Sequence, residues 1–261
     1  KANLPDVDMV LLTHVHEDHI AGLHLFPEAS CFAHAEDAQG LASLSGLMEI
    51  FGYEGEPAAA WKASVVKDYF YQSRPDVQSF SNGDKFDLGG VSIEIIHTPG
   101  HTRGHSCLLI DWENNDERLC VLGDIDLTSF GPYYGDGWSS LVDFEQSLEL
   151  LKSVEAHWWL TFHHKGLIEG RREFLTMLEK YSKMIDSRES RLLAYLSEPR
   201  SLDQIVEHQF IYRPGTGGVM VDQIERRSMR MHLERLLQSQ EVLVDAAHRW
   251  QARQTARDES M

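Results

Sequence analysis

The chain has 261 residues, 42% of them hydrophobic, and a formal net charge of −17 at pH 7. That is enough for one large domain with its own core plus an appendage. No run approaches the roughly 18–20 uninterrupted apolar residues that span a bilayer, no signal-peptide pattern opens the chain, and three cysteines are too few and odd in number for a disulfide framework.

The charge is uneven. Residues 1–170 carry 27 Asp and Glu against 9 Lys and Arg, whereas residues 171–261 carry 14 against 15. An acidic front half repels phosphate backbones unless bound cations reverse the local field. Cys31, Cys107 and Cys120 each sit in strand-like apolar context. They read as small buried hydrophobes in a reducing compartment, which points to a cytoplasmic location. The first residue is Lys1, not Met, as expected of a trimmed or incomplete chain.

In chain order, VDMVLL (7–12) reads as a short buried strand. Directly after it, LLTHVHEDHIAGL (11–23) places His14, His16, Asp18 and His19 within six positions. The stretch 28–37 predicts a strand leading into a helix start. Residues 37–72 read as helical, broken around Gly52–Pro57, with Tyr53, Trp61, Tyr69, Phe70 and Tyr71 among them. Residues 91–111 read as strand, loop, strand, and 117–126 as a strand ending in a carboxylate. The Gly- and aromatic-rich stretch 128–140 is a loop, 144–154 an amphipathic helix, and 157–166 a strand ending at histidines. The recurring theme is an apolar strand with His or Asp at its C-terminal end, which mounts chemistry on a rigid sheet.

Beyond Gly170 the texture changes. Phe174, Leu178, Tyr181, Ile185, Leu192 and Leu196 recur at helical spacing across 171–197. Pro199 stops that helix, and Ser201 with Gln204 forms a capping box for the next. Residues 226–240 predict a further helix, 241–250 a small hairpin, and the polar end 251–261 frays. The expected division is therefore 1–170 and 171–261.

Imidazole and carboxylate are the ligands of borderline and hard divalent ions. His101, Asp124, His163 and His164 also lie just past apolar strands. With the opening quartet and one of the 163/164 pair they make seven ligands, where a tetrahedral ion needs three or four. Seven suit two ions about 3.5–4 Å apart that share a bridging carboxylate.

His14-Val-His16-Glu-Asp18-His19, Thr98-Pro-Gly-His101-Thr-Arg-Gly-His105, Gly123-Asp124 and the segment from His164 to Gly170 occur in this order. They resemble the HxHxDH, TPGHTxGH, GD and closing His motifs of the metallo-β-lactamase superfamily, over roughly residues 7–170. The resemblance implies an α/β fold, an αββα sandwich, with the site at one edge of two sheets. It implies that His14, His16 and His101 hold a first metal and Asp18, His19 and His164 a second, with Asp124 bridging. It implies hydrolysis by a metal-bridging hydroxide, which Asp18 orients as the catalytic carboxylate. The last ligand is expected at His164, because Ile168 and Gly170 follow at the family's offsets, with His163 as the alternative. The family usually has two or more strands before its first motif, but only 13 residues precede His14. Those strands are then absent, or the opening sheet is built differently.

The tail resembles the winged-helix-like appendage of a branch holding acyl hydrolases and endoribonucleases. The expected cofactor is a pair of divalent ions, zinc first, with iron or manganese accepting the same ligands. The expected substrate is a small acyl ester, thioester or lactone. RNA or another phosphodiester ranks second, through Arg226, Arg227, Arg230 and Arg235, although such a run is more often a solvated helix face. An iron-dependent redox enzyme of the same fold and a non-catalytic ligand-binding protein are further readings, and a homo-oligomer is left open. His97 and His105 are candidates for orienting a ligand, and Arg103 for meeting a substrate carboxylate. Glu17 is expected to face solvent, and His24, His34, His157, His208, His232 and His248 to be structural or surface.

Overall fold

The first sheet is wholly parallel, with β1 (Met9–Leu11), β2 (Ser30–His34) and β3 (Gln78–Phe80) in that order. Parallel neighbours need crossovers. The one from β1 to β2 carries the short α1 (Glu17–Ile20), and the one from β2 to β3 carries α2 (Ala38–Ala42), α3 (Leu44–Phe51) and α4 (Gly55–Lys67). The break expected at Gly52–Pro57 thus separates α3 from α4, with Gly52 closing α3 in the left-handed region. These elements come from a computed structural model that describes residues 7–253. From residue 254 onward, the end expected to fray lies outside the described residues.

The second sheet runs β4 (Lys85–Asp87), β5 (Val91–His97), β6 (Ser106–Trp112), β7 (Asn115–Val121), β8 (Trp158–Leu160) and β9 (Leu167–Glu169) in spatial order. All its pairs are antiparallel except β7 with β8, which are joined through α5 (Leu141–Leu151). Leu11, Phe32 and Phe80 of the first sheet pack against Phe86, Ile93, Ile95, Leu108 and Val121 of the second. Strand alternation then sends Cys107, Leu109 and Cys120, all buried, to the opposite face of the second sheet. On the outer face of the first sheet, Leu12, Cys31 and Ala33 meet Leu41, Leu47, Ile50 and Val65 from α2–α4. Trp159 of β8 stacks on Phe174 of α6 (Arg171–Tyr195) at 3.4 Å and 2°. Helices therefore cover both sheets, as the αββα expectation requires. All three cysteines are free and buried.

Two compact units meet after Ser182, inside α6 and not at its start. The expected boundary at Gly170 placed the whole helix in the tail. The first half of α6 instead packs with the sheets: Phe174 stacks on Trp159, and Tyr181 lies beside Phe144. In the second unit α7 (Leu202–His208) opens with the capping box of Ser201 and Gln204. It is followed by α8 (Val219–Gln238) and the antiparallel hairpin of β10 (Val242–Val244) and β11 (Trp250–Ala252). Arg200 pairs with Trp250 beside the hairpin. This helix–helix–hairpin order is winged-helix-like. Among the described residues no helix is long and apolar enough to cross a membrane.

Candidate metal centre

Topology gathers the strand ends. Because β5 and β7 are each antiparallel to β6, and β8 is parallel to β7, the C-terminal ends of β5, β7 and β8 share one edge of the second sheet. The segment after β1 joins them where Ser106 N donates to the Thr13 carbonyl at 2.8 Å. His14, His16 and His19 follow β1, His101 follows β5, Asp124 follows β7 and His163 follows β8. Six side chains from four segments therefore meet at one place.

Ligand atoms of His14, His16, His101 and Asp124 all lie within 4.8 Å of one another, as do those of Asp18, His19 and His163. Asp124 stands between the two groups: Oδ2 is 3.2 Å from His101 Nε2, and Oδ1 is 2.8 Å from His19 Nε2 and 3.6 Å from His163 Nε2. The Nε2 atoms of His14, His16, His19 and His101 and the Oδ1 of Asp124 are buried, and none makes a hydrogen bond among the described residues. They sit at contact distance, but their angles suit no hydrogen bond. Buried polar atoms left this way are costly, and imidazole lone pairs converging with a carboxylate fit divalent cations.

The far sides of the rings are held. His101 Nδ1 donates to the Tyr133 carbonyl at 3.1 Å, which leaves Nε2 facing the cluster. Thr13 Oγ1 lies 3.2 Å from His14 Nδ1. His105 Nδ1 donates to the Thr98 carbonyl at 3.0 Å, and its Nε2 accepts the Asp124 N–H at 3.1 Å. His105 thus holds the backbone of Asp124. Its burial pushes its pKa down to about 3, in keeping with a neutral ring. His97 instead stacks on His34 at 3.9 Å and bonds the Arg103 carbonyl. The Arg103 guanidinium lies 4.5 Å over Trp138.

Burial alone would raise the Asp124 carboxyl, but the imidazoles of His14 and His101 hold it far below the usual range. Burial lowers His101, yet the charge of Asp124 overrides it and lifts the ring to about 9. His163 is likewise raised to about 9 by its contact with Asp124. Burial drives His14 and His16 well below their ordinary value.

Of the two histidines the sequence left open as the last ligand, it is His163, the alternative, and not His164 that lies with Asp18 and His19. After β8 ends at Leu160 the strict alternation ends too. His163 N donates to Asp126 Oδ1 at 3.0 Å, and His163 Nε2 lies 3.2 Å from Asp18 Oδ2. His164 has a positive φ of 61° and turns outward, exposed, onto a pocket of about 440 Å³ lined also by Thr128, Ser129 and Lys165. Replacing His163 with Ala is expected to weaken metal binding by roughly 10–100-fold, whereas His164→Ala leaves it within about twofold. Metal titration of both variants checks this, and equal losses would refute the assignment.

Glu17 is also corrected. It is half-buried, and burial beside Asp18 raises its carboxyl to about 8. Three carboxylates went unnoticed in the sequence. Asp126 lies with Asp124 and His163, and burial beside Asp124 lifts it to about 6. Asp136 lies 3.3 Å from His16 Nε2. Asp37, fully buried, accepts hydrogen bonds from Val15 N (3.3 Å), Thr102 Oγ1 (2.6 Å) and Gly104 N (2.8 Å). It stands at the N-cap of α2 but caps nothing there, because both oxygens serve other loops. The signal available was a second Asp two residues past Asp124; Asp37 reads as an ordinary cap and Asp136 as loop polarity.

Gly100 explains why the His101 loop needs glycine. Its φ is 129°, and a Cβ there would sit 2.3 Å from the backbone of Phe144 in α5. Gly100→Ala is expected to cost about 3 kcal/mol by overpacking and backbone strain, read by chemical unfolding. A loss under about 0.5 kcal/mol would show that the loop yields freely.

Residues 1–180 match the family described as the metallo-beta-lactamase superfamily. The chain is 34% identical over 119 residues to the uncharacterized protein Rv2581c of Mycobacterium tuberculosis, covering 44% of this chain and 49% of that one. It is 26% identical over 122 residues to the human protein named acyl-coenzyme A thioesterase MBLAC2, covering 45% and 40%. The matched segments thus span half or less of those two relatives. The crystal structure of metallo-beta-lactamase family protein TTHA1429 from Thermus thermophilus is alike in fold, with a TM-score of 0.68 and 22% identity, over 95% of this chain and 80% of that one. Motifs, fold and family match agree: the chain belongs to the metallo-beta-lactamase superfamily.

Proposed function

We propose that this protein is a dinuclear metal-dependent hydrolase of an acyl thioester, ester or lactone. The observation that carries the reading is the set of five buried ligand atoms that converge without hydrogen bonds around Asp124. His14, His16 and His101 would hold one ion and Asp18, His19 and His163 the other, with Asp124 shared. Such a pair supplies an activated water and a Lewis acid for the developing oxyanion. Asp18, 3.2 Å from His163 Nε2, would hold and orient that water. His105 keeps Asp124 in place, and the Phe162 ring packs against the His19 ring, with centroids 3.9 Å apart.

The thioester arm is favoured by the name of the human relative, an acyl-coenzyme A thioesterase. The RNA arm loses support in the tail, where Arg226 pairs with Asp203 at 2.6 Å and Arg235 with Glu189. Zinc, iron and manganese all suit nitrogen and oxygen ligands, and no cysteine competes at the site.

The test is to load stripped protein with zinc, manganese or ferrous iron and assay acyl thioesters, lactones, phosphodiesters and RNA. Thioester cleavage can be followed by free thiol, since the chain's own three cysteines are buried. Turnover of thioester or lactone by the loaded protein only is expected. Activity on RNA alone, or undiminished activity of stripped protein, would overturn the reading.

Metal uptake should depend on pH with a definite sign. His101 and His163, raised to about 9, carry protons at neutral pH in metal-free protein, so an ion must displace them. Ordinary histidines would release metal only below about pH 5.5–6. Here affinity is expected to climb from pH 7 to about 9, as measured by competition with a chelator. A flat profile over that range would contradict it.

A further inference from the structure

The loop after β7 and the turn after β8 are tied to each other beside the metal centre. Leu122 N donates to the Leu160 carbonyl at 2.7 Å, Phe162 N to the Gly123 carbonyl at 3.3 Å and His163 N to Asp126 Oδ1 at 3.0 Å. Each segment holds a non-glycine residue in the left-handed region, Leu127 with φ 54° and His164 with φ 61°. For a bulky residue such as leucine that conformation is strained, and strain of this kind collects at functional sites. Between the two segments lies the pocket of about 440 Å³, lined by Asp126, Thr128, Ser129, Phe130, His164 and Lys165.

The pocket adjoins the centre through Asp126, which has a ligand atom within 4.8 Å of those of Asp124 and His163. One Asp126 oxygen is engaged by the His163 N–H. The other polar side chains are uncommitted: among the described residues the Lys165 ammonium, the Thr128 and Ser129 hydroxyls and the His164 ring nitrogens make no hydrogen bond or ion pair. Residues 1–170 hold 27 Asp and Glu against 9 Lys and Arg. An ammonium without a carboxylate partner in so acidic a stretch, with two hydroxyl donors beside it, suits an oxyanion. Phe130, 39% exposed, offers an apolar wall to a short carbon chain. We infer that this pocket receives a carboxylate at the far end of the substrate's acyl chain, held by Lys165 with Thr128 and Ser129. The preferred substrate is then an ester or thioester of a short dicarboxylic acid. This rests on the proposed hydrolase reading. Because Asp126 belongs both to the pocket wall and to the metal group, an anion in the pocket sits a few bonds from the reacting carbonyl. That suits the acyl chain and not the remote end of a long thiol.

The experiment compares S-glutaryl pantetheine with S-pentanoyl pantetheine, acyl chains of equal length with and without the terminal carboxylate, on the metal-loaded full chain. Wild type is expected to favour the glutaryl ester in kcat/KM by roughly 10–100-fold, the scale of a hydrogen bond to a charged group, and to do so mainly through KM. Lys165→Met is expected to remove most of that ratio, and Lys165→Arg to retain part of it. The Thr128→Ala, Ser129→Ala double variant should lower it less than Lys165→Met does. S-pentanoyl phosphopantetheine tests an anion on the thiol side and is expected to gain nothing over its phosphate-free counterpart. Equal turnover of the glutaryl and pentanoyl esters, or a preference that Lys165→Met leaves intact, overturns the inference. A preference for the phosphate-bearing thiol that Lys165→Met abolishes overturns the assignment to the acyl chain. A loaded chain that cleaves none of these compounds overturns the thioester reading, and the pocket is then read by calorimetry with the intact esters. Tighter binding of the glutaryl ester, lost in Lys165→Met, upholds the anion site by itself, whereas equal binding of both esters overturns that too.

Discussion

Asp124→Ala is expected to empty both ion positions and to lower hydrolysis of any reactive thioester by at least about 10³-fold, the scale of losing a principal electrostatic group. Among the described residues Asp124 is the one carboxylate within reach of both groups, 3.2 Å from His101 on one side and 2.8 Å from His19 on the other. Without it, His14, His19, His101 and His163 lose the charge that balances them, and His101 falls back toward the low pKa that its burial favours. The tail should stay folded, since its own contacts are untouched. Elemental analysis of purified wild type and variant, with parallel assays, reads the effect. A variant that keeps two ions and full turnover would remove the basis of the proposed function.

The second large effect is expected at Asp37, which touches no proposed ligand. Its carboxylate fastens the loop of His14 and His16, through Val15 N, to the loop of His101, through Thr102 and Gly104. Asp37→Ala leaves two buried N–H groups and a hydroxyl without an acceptor. At about 1–3 kcal/mol for each unsatisfied group, with partial relaxation, the expected loss is roughly 3–5 kcal/mol. Because the two loops then part, metal affinity is expected to fall as well, by roughly 10–100-fold. Gly104 shows how tight the junction is: a Cβ there would sit 2.6 Å from the Asp37 carboxyl carbon. Urea unfolding of the metal-free variant separates the structural loss from the metal loss. A variant as stable as wild type would mean that water replaces the carboxylate at no cost.

Much of this was legible beforehand because the motifs are local and the elements strongly patterned. The strand before His14, the pair β5 and β6, the break between α3 and α4, and the capping box at Ser201 all follow from alternation, turn residues and caps that act over a few positions. His163 against His164 was not legible, because β8 ends at Leu160 and the turn that follows is set by a hydrogen bond to Asp126. Glu17 misled for a related reason: alternation along a strand says nothing once α1 begins at that residue. That Phe174 of α6 stacks on Trp159 was not legible either, because helical periodicity is blind to what a helix packs against.

By itself the sequence determined the ligand types, their order and their attachment to strand ends, since these depend on residue identity and short-range backbone preference. Only the tertiary structure decided which imidazole closes the second group, that Asp37 reaches Thr102 across 65 positions of chain, and that Asp136 stands beside His16. Those are contacts between segments distant in the chain. Their energy comes from burial and from satisfying polar atoms across the fold, and no local pattern records it.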